Sequence, residues 1–255
     1  LARLFDEYQR QDDRLVRRVF AGQTQVGRAL IHEEALPDED HTEILDWQRA
    51  SRVIQSAATV AVSLCACRHT AQHLGRACDA PLRTSLTLNY AADIVLRNGL
   101  AERLSTAEAM DLLAQCKEAG LVQTGENVQR KVSYICNCCG CCCGMIDAIK
   151  RYDLRGAIVT SGWMACVDTQ ACTGCGRCVR SCVVDAIALV DQPGGNGKQK
   201  VAAVDQDLCL GCGVCHGTCR AGAIRMQSRP QRVHTPETVF DRVVIMAIER
   251  GKLGD

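Results

Sequence analysis

Residues 168–182 read DTQACTGCGRCVRSC, and 37 positions later residues 205–219 read DQDLCLGCGVCHGTC. Each copy spaces its cysteines as C-x2-C-x2-C-x3-C. They are Cys172, Cys175, Cys178 and Cys182 in the first copy and Cys209, Cys212, Cys215 and Cys219 in the second. Each copy ends in a small apolar tail, Asp185-Ala-Ile-Ala and Ala221-Gly-Ala-Ile, so the stretch reads as an internal duplication. Three thiols at two-residue spacing can wrap one inorganic cube in a tight loop. The fourth, starting a helical turn that points away, can serve the neighbouring cube. Gly174, Gly176, Gly211 and Gly213 beside the ligands permit unusual torsions and leave backbone N–H groups free to bond sulfur. One C-x2-C pair would suit zinc equally well, but the doubled pattern specifies two [4Fe–4S] clusters. The insert PGGNGK at 193–198 reads as a flexible hairpin or loop.

Over about residues 166–227 the chain resembles bacterial two-cluster ferredoxins. The resemblance implies that Cys172, Cys175 and Cys178 share a cluster with Cys219, while Cys209, Cys212 and Cys215 share one with Cys182. The chain departs from that family where proline normally follows the fourth cysteine, having Val183 and Arg220 instead. Arg220 is expected in solvent. His216 is expected on the surface, since four thiolates already complete each site.

The chain has 19 cysteines, none before Cys65, and 15 of them fall within 136–219. A secreted disulfide scaffold is normally short and spreads its cysteines through the fold, so this bunching points to reduced thiols holding metal in a cytoplasm. The run Cys136-Asn-Cys-Cys-Gly-Cys-Cys-Cys-Gly holds six cysteines: Cys136, Cys138, Cys139, Cys141, Cys142 and Cys143. Thiols so crowded would repel as thiolates or oxidise unless a metal held them. Cys65, Cys67 and Cys78 are three more candidate ligands. These nine allow one further [4Fe–4S] cluster, two cubanes, or a zinc site. Cys116, inside a helix, and Cys166 read as packed thiols. His69 and His73, four apart beside Arg68, read as a surface or packing pair.

The block SLCACRHTAQHLGRACDAP, then YICNCCGCCCG, then the ferredoxin tail is similar to a poorly characterised family of anaerobe 4Fe–4S ferredoxin-like proteins over about residues 20–225. That resemblance implies a cysteine where this chain has Ser85, and an N-terminal winged-helix segment that the sequence does not display. The two CCG tripeptides are also similar to the noncubane cluster motifs of heterodisulfide reductases, without their long spacings.

A length of 255 residues, 47% of them hydrophobic, suffices for an ordinary core. Thirty Lys and Arg against 29 Asp and Glu leave a net charge of +1, so no global field recruits nucleic acid or an anionic membrane. The longest apolar run, 57–66, is half the ~20 residues of a membrane span, and no signal-peptide pattern opens the chain. Neither G-x-G-x-x-G nor G-x4-G-K-[ST] occurs, so no nucleotide cofactor is expected.

An α+β protein in four parts is expected. These are a helix-rich region at 1–64, a cysteine-rich cluster-binding α/β region at 65–160, a two-cluster ferredoxin domain at 161–228, and an amphipathic helix within 229–255. The pattern predicts helices over 43–57, 91–97, 106–119 (from the Ser105–Glu108 capping box) and 144–151. It predicts strands over 59–64, 86–89, 132–135 and 157–160. The C-terminal helix, with Val239, Phe240, Val243, Val244, Ala247 and Ile248, is expected to cover the domain rather than dock a partner. The expected function is electron transfer within a larger anaerobic oxidoreductase system, with a redox partner protein such as a flavoprotein. The alternatives are reduction of a disulfide or small substrate at the upstream cluster, and an iron–sulfur sensor.

Overall fold

The computed structural model of the chain describes residues 1–36, 45–192, 199–231 and 233–253. Six strands of these residues form one antiparallel sheet: β1 (Gly27–Ala29), β2 (Val60–Leu64), β3 (Arg83–Leu88), β4 (Glu102–Leu104), β5 (Val122–Glu126) and β6 (Tyr134–Cys138). Their spatial order is β1-β5-β6-β3-β2-β4. The sheet draws β1 and β2 from 1–64 and the other four from 65–160, so those two stretches share one sheet.

Alternation along the strands sorts side chains between two faces. The register pairs Val60 with Leu88, Val62 with Leu86, and Leu86 with Ile135. These residues lie together under α3 (Ala50–Gln55) and α6 (Thr106–Glu118), which contribute Val53, Ile54, Ala109 and Leu113. The Ser105–Glu108 capping box is formed at the start of α6. On the opposite face, Cys136 and Cys138 meet α7 (Gly144–Tyr152) through Ile146 and Ile149, in a core that continues into the C-terminal domain. α4 (Ala66–His73) follows directly from β2 at one end of the sheet, and α5 (Asn89–Arg97) follows β3 at the other. Helices α1 (Ala2–Gln11) and α2 (Arg14–Val19) lie near α4 and α7. Asp6 pairs with both Arg10 and Arg76, and Tyr152 Oη donates to the Gln9 carbonyl at 3.2 Å.

The duplicated sequence builds a duplicated structure. Hairpin β8 (Ile187–Asp191) and β9 (Lys200–Val204) complements the pair β7 (Trp163–Val167) and β10 (Ile224–Ser228). Short helices α8 (Arg177–Ser181) and α9 (Val214–Thr218) face each other, with Ser181 Oγ and Thr218 Oγ1 3.1 Å apart. Asp168 and Asp205 launch the two loops alike. Each carboxylate accepts from the amides two and three residues on, and each backbone amide reaches the other copy's tail at Ala223 or Ala186.

Several expectations are corrected. The helix over 43–57 is interrupted: Asp46–Gln48 is a 3-10 turn, Arg49 is extended, and α3 begins at Ala50. Glu43 and Ile44 lie outside the described residues, as does the 193–198 insert. Instead of a strand at 157–160, Arg155–Ala157 makes a 3-10 turn and Val159 a single bridge to Arg28. Cys166 is exposed on β7 rather than packed. Finally, α10 (Val239–Glu249) leaves Val239, Phe240, Val243 and Ile248 largely exposed. Its attachment is polar: Arg242 pairs with buried Glu126 at 3.0 Å, and Glu249 accepts from the Gln23 and Thr24 amides. Among the described residues no helix is long and apolar enough to cross a membrane.

Candidate metal centres

In the C-terminal domain two small cavities of equal size, about 20 Å3, are each lined by four cysteines. Cys172, Cys175 and Cys178 line the first together with Cys219 from the other copy. Cys209, Cys212 and Cys215 line the second together with Cys182. The loops fold this way because Gly174, Gly176, Gly211 and Gly213 adopt positive φ. A Cβ at Gly174 would lie 2.3 Å from the Lys200 carbonyl, and one at Gly211 2.0 Å from that of Trp163, so no other residue fits either turn. Backbone amides aim at the sulfurs: Ala186 donates to Cys182 Sγ at 3.2 Å and Ala202 to Cys172 Sγ at 3.4 Å. Burial pushes the Cys212 thiol up to about 12 and raises Cys178, Cys182 and Cys215 as well. The Arg177 amide lowers Cys175. Buried sulfurs of this kind carry negative charge only with a cation among them. Eight thiols in two sets of four, ringed by amide donors, fit a pair of [4Fe–4S] cubes. Arg220 is exposed and His216 half-buried.

Upstream, the nine candidate cysteines separate. The Sγ atoms of Cys78, Cys139, Cys141 and Cys142 all lie within 4.8 Å of one another. Cys139 and Cys142 also pack with Cys116 and Leu121, on the α6 side. Cys116 is fully buried and its thiol is raised to about 11 by burial.

Arg68, 1% exposed, sits beside this foursome. Its guanidinium donates to the Pro81 carbonyl, to Thr84 Oγ1 at 3.2 Å and to the Asn137 carbonyl at 3.2 Å. Its charged neighbours are the sulfurs of Cys139, Cys65 and Cys78 rather than a carboxylate. A buried cation needs a counter-charge, and among the described residues these sulfurs are the groups placed to supply it as thiolates. Burial raises Cys139, but the Arg68 guanidinium and the Cys142 amide outweigh this and bring its thiol down to about 7. Four sulfurs beside a buried cation fit a metal held by thiolates.

The other five, Cys65, Cys67, Cys136, Cys138 and Cys143, form a second group. Cys138 neighbours Cys136 and Cys143, Cys143 neighbours Cys67, and Cys67 neighbours Cys65. Cys143 is the residue before α7. Hydrogen bonds from the Cys138 and Cys67 thiols, then from the Ile146 and Met145 amides, hold its thiol well below the usual range. Ser85 bonds Cys136, at the position where the resemblance implies a cysteine.

The sequence groups Arg68 with His69 and His73 as a surface or packing set, with donation to a cluster as the alternative, and of the three it is Arg68 that lies among the thiols. His69 and His73 turn to each other instead of the thiols, with ring nitrogens 3.1 Å apart. A cavity of about 480 Å3 under α1 and α2 reaches Cys67, Cys141 and Cys142, with Phe5, Val16, Phe20 and Met145 in its walls.

The cysteine run touches the C-terminal domain directly. A Cβ at Gly140 would lie 3.0 Å from the Val183 carbonyl and 3.1 Å from its Cα, next to Cys182. No curated protein matches the chain. Residues 171–242, which hold all eight cysteines of the two four-cysteine cavities and the first turn of α10, match the family model described as the 4Fe-4S dicluster domain.

Proposed function

We propose that the chain is an iron–sulfur electron carrier with two [4Fe–4S] clusters in its C-terminal domain and a further cluster upstream, serving a larger anaerobic oxidoreductase. Cys172, Cys175, Cys178 and Cys219 hold one cluster, Cys209, Cys212, Cys215 and Cys182 the second, and Cys78, Cys139, Cys141 and Cys142 the third. When bound, such clusters accept and release single electrons. The protein's part is to exclude water, aim amides at the sulfurs and keep the centres close. The observation that carries the reading is the junction. Gly140 of the cysteine run lies against Val183, and Cys136, Cys138 and Cys143 share one apolar core with Cys178, Cys182, Cys209 and Cys215. A carrier benefits from such continuity.

The four-part organisation goes with this proposal, 161–228 being the ferredoxin-like unit. So does a cytoplasmic location, because so many free thiols persist only in a reducing compartment. A flavoprotein is the proposed exchange partner. Anaerobic purification, iron and sulfide analysis, and EPR before and after reduction test the reading. Reversible one-electron signals with more than ~8 irons per chain are expected. Protein that is iron-free after reconstitution, or redox-silent, overturns it.

One observation favours a second reading, reduction of a disulfide or small substrate at the upstream centre: the 480 Å3 cavity ends on Cys67, Cys141 and Cys142. A change in the upstream EPR signal on adding a small disulfide would favour it over simple carriage.

A further inference from the structure

We propose that the upstream cysteines form two separate iron–sulfur centres, parted where β6 ends, the second held by Cys65, Cys67, Cys136, Cys138 and Cys143. This rests on the reading that the upstream block binds a cluster at all, and it deepens that reading by assigning a further site. The division follows from strand geometry. Along β6, residues 136 and 138 face one way and 137 the other, so Cys136 and Cys138 point together toward α7. Asn137, on the opposite face, bonds Gln123 at 2.9 Å and the Thr84 carbonyl at 2.8 Å, which locks that orientation. Cys139, one residue beyond the strand, lies with Cys116 and Leu121 instead. Cys139 thus leaves β6 on the face opposite Cys136 and Cys138, while Cys67, Cys141 and Cys142 all reach the cavity beneath α1 and α2 beyond the end of the strand.

On the α7 side the second group has its own surroundings. Thr124 Oγ1 lies 3.3 Å from Cys138 Sγ, and the Ser85 hydroxyl bonds Cys136. Two helices begin at its ligands, α4 after Cys65 and α7 after Cys143. The amides of Arg68, Gly144, Met145 and Ile146, in the first turns of those two helices, lie close to Cys65, Cys67 and Cys143. Amides aimed at sulfur from two helix starts suit a multiply charged thiolate centre better than five neutral thiols. Cys138 and Cys143 are buried while Cys67 is exposed, so four of the five can close a cubane with Cys67 at its rim.

The test is made on the full chain, purified anaerobically and reconstituted with ferrous iron and sulfide. Four cubanes give about 16 irons per chain. The double variant Cys136→Ser/Cys143→Ser is expected to lose about 4, and Cys139→Ser/Cys142→Ser a different 4, each erasing a different EPR signal. Unchanged C-terminal signals show that each variant has folded, and the wild-type count needs no variant. About 12 irons in the wild type, with both double variants erasing one signal, overturns the second centre and leaves the electron-carrier reading intact. About 12 irons plus one zinc overturns its iron–sulfur character. About 8 irons overturns both.

Discussion

Arg68 is a residue whose importance only burial reveals. Next to CxC, in a stretch of His, Thr and Gln, it reads as one more surface cation; in the fold it is closed off among thiols. Losing the partner of a buried charge typically costs about 3–5 kcal/mol, and Arg68→Met removes the cation the thiolates face. The variant is expected to melt at a clearly lower temperature. The midpoint potential of its upstream centre should shift negative, because reduction adds charge to a site that has lost its cation. An unchanged potential, read by EPR-monitored titration, would reduce Arg68 to a brace for Pro81, Thr84 and Asn137. His32 makes the opposite kind of prediction. Burial, and after it Lys117, lowers its pKa below the ordinary 6.5. Its amide donates to the Cys212 carbonyl at 2.9 Å, and its ring lies 3.2 Å from the Leu121 carbonyl. The neutral form therefore stabilises the fold fully above the ordinary histidine pKa, and that contribution is lost as pH falls below it. Thermal melts at pH 7.5 and 5.5 should show wild type losing more stability than His32→Gln. Equal losses would remove His32 from the account.

The elements show what kind of sequence signal survives folding. The eight C-terminal cysteines were legible because their spacing is itself the loop geometry, and α6 was legible because Ser105 and Glu108 sit at capping-box positions. The sequence pattern predicts a strand over 132–135 but β6 runs Tyr134–Cys138, and those residues of difference hide the sorting of Cys136 and Cys138 from Cys139. Nothing in the sequence pattern predicts β5: VQTGE is too polar for a buried strand, yet all five residues are buried. The Gln123 amide nitrogen donates across the register to Asn137, and Glu126 is held by Arg242 and the Ser133 amide, and such partners are invisible before pairing is known. The Glu126–Arg242 pair is also what fastens α10, whose apolar side chains stay outside. Arg242→Met should therefore cost about 3–5 kcal/mol and open the C-terminal segment to protease. Limited trypsin digestion checks this, and a segment as resistant as in wild type would place the attachment at Glu249 and the Gln23 and Thr24 amides instead.

Across the whole molecule, the sheet carries thiols at one end and the duplicated domain carries them at its centre, and the two meet where glycine replaces a side chain. Gly140 interrupts the cysteine run at a position that touches Val183, the residue after Cys182. Even a methyl group there lies 3.0 Å from the Val183 carbonyl, tighter than packing allows without movement, and the obstacle is backbone rather than a flexible side chain. Gly140→Val should therefore push the upstream run away from the dicluster domain while leaving every cysteine in place. If the close junction exists to couple the centres, the variant keeps its iron content and both sets of EPR signals. The broadening that neighbouring paramagnetic centres impose on one another in fully reduced wild type should narrow, and reduction of the upstream centre by way of the C-terminal domain should slow. Gly140→Ala, with less to accommodate, should fall between. Retention of wild-type broadening and rate in Gly140→Val would mean that the junction serves packing alone, and that electrons enter and leave each part separately.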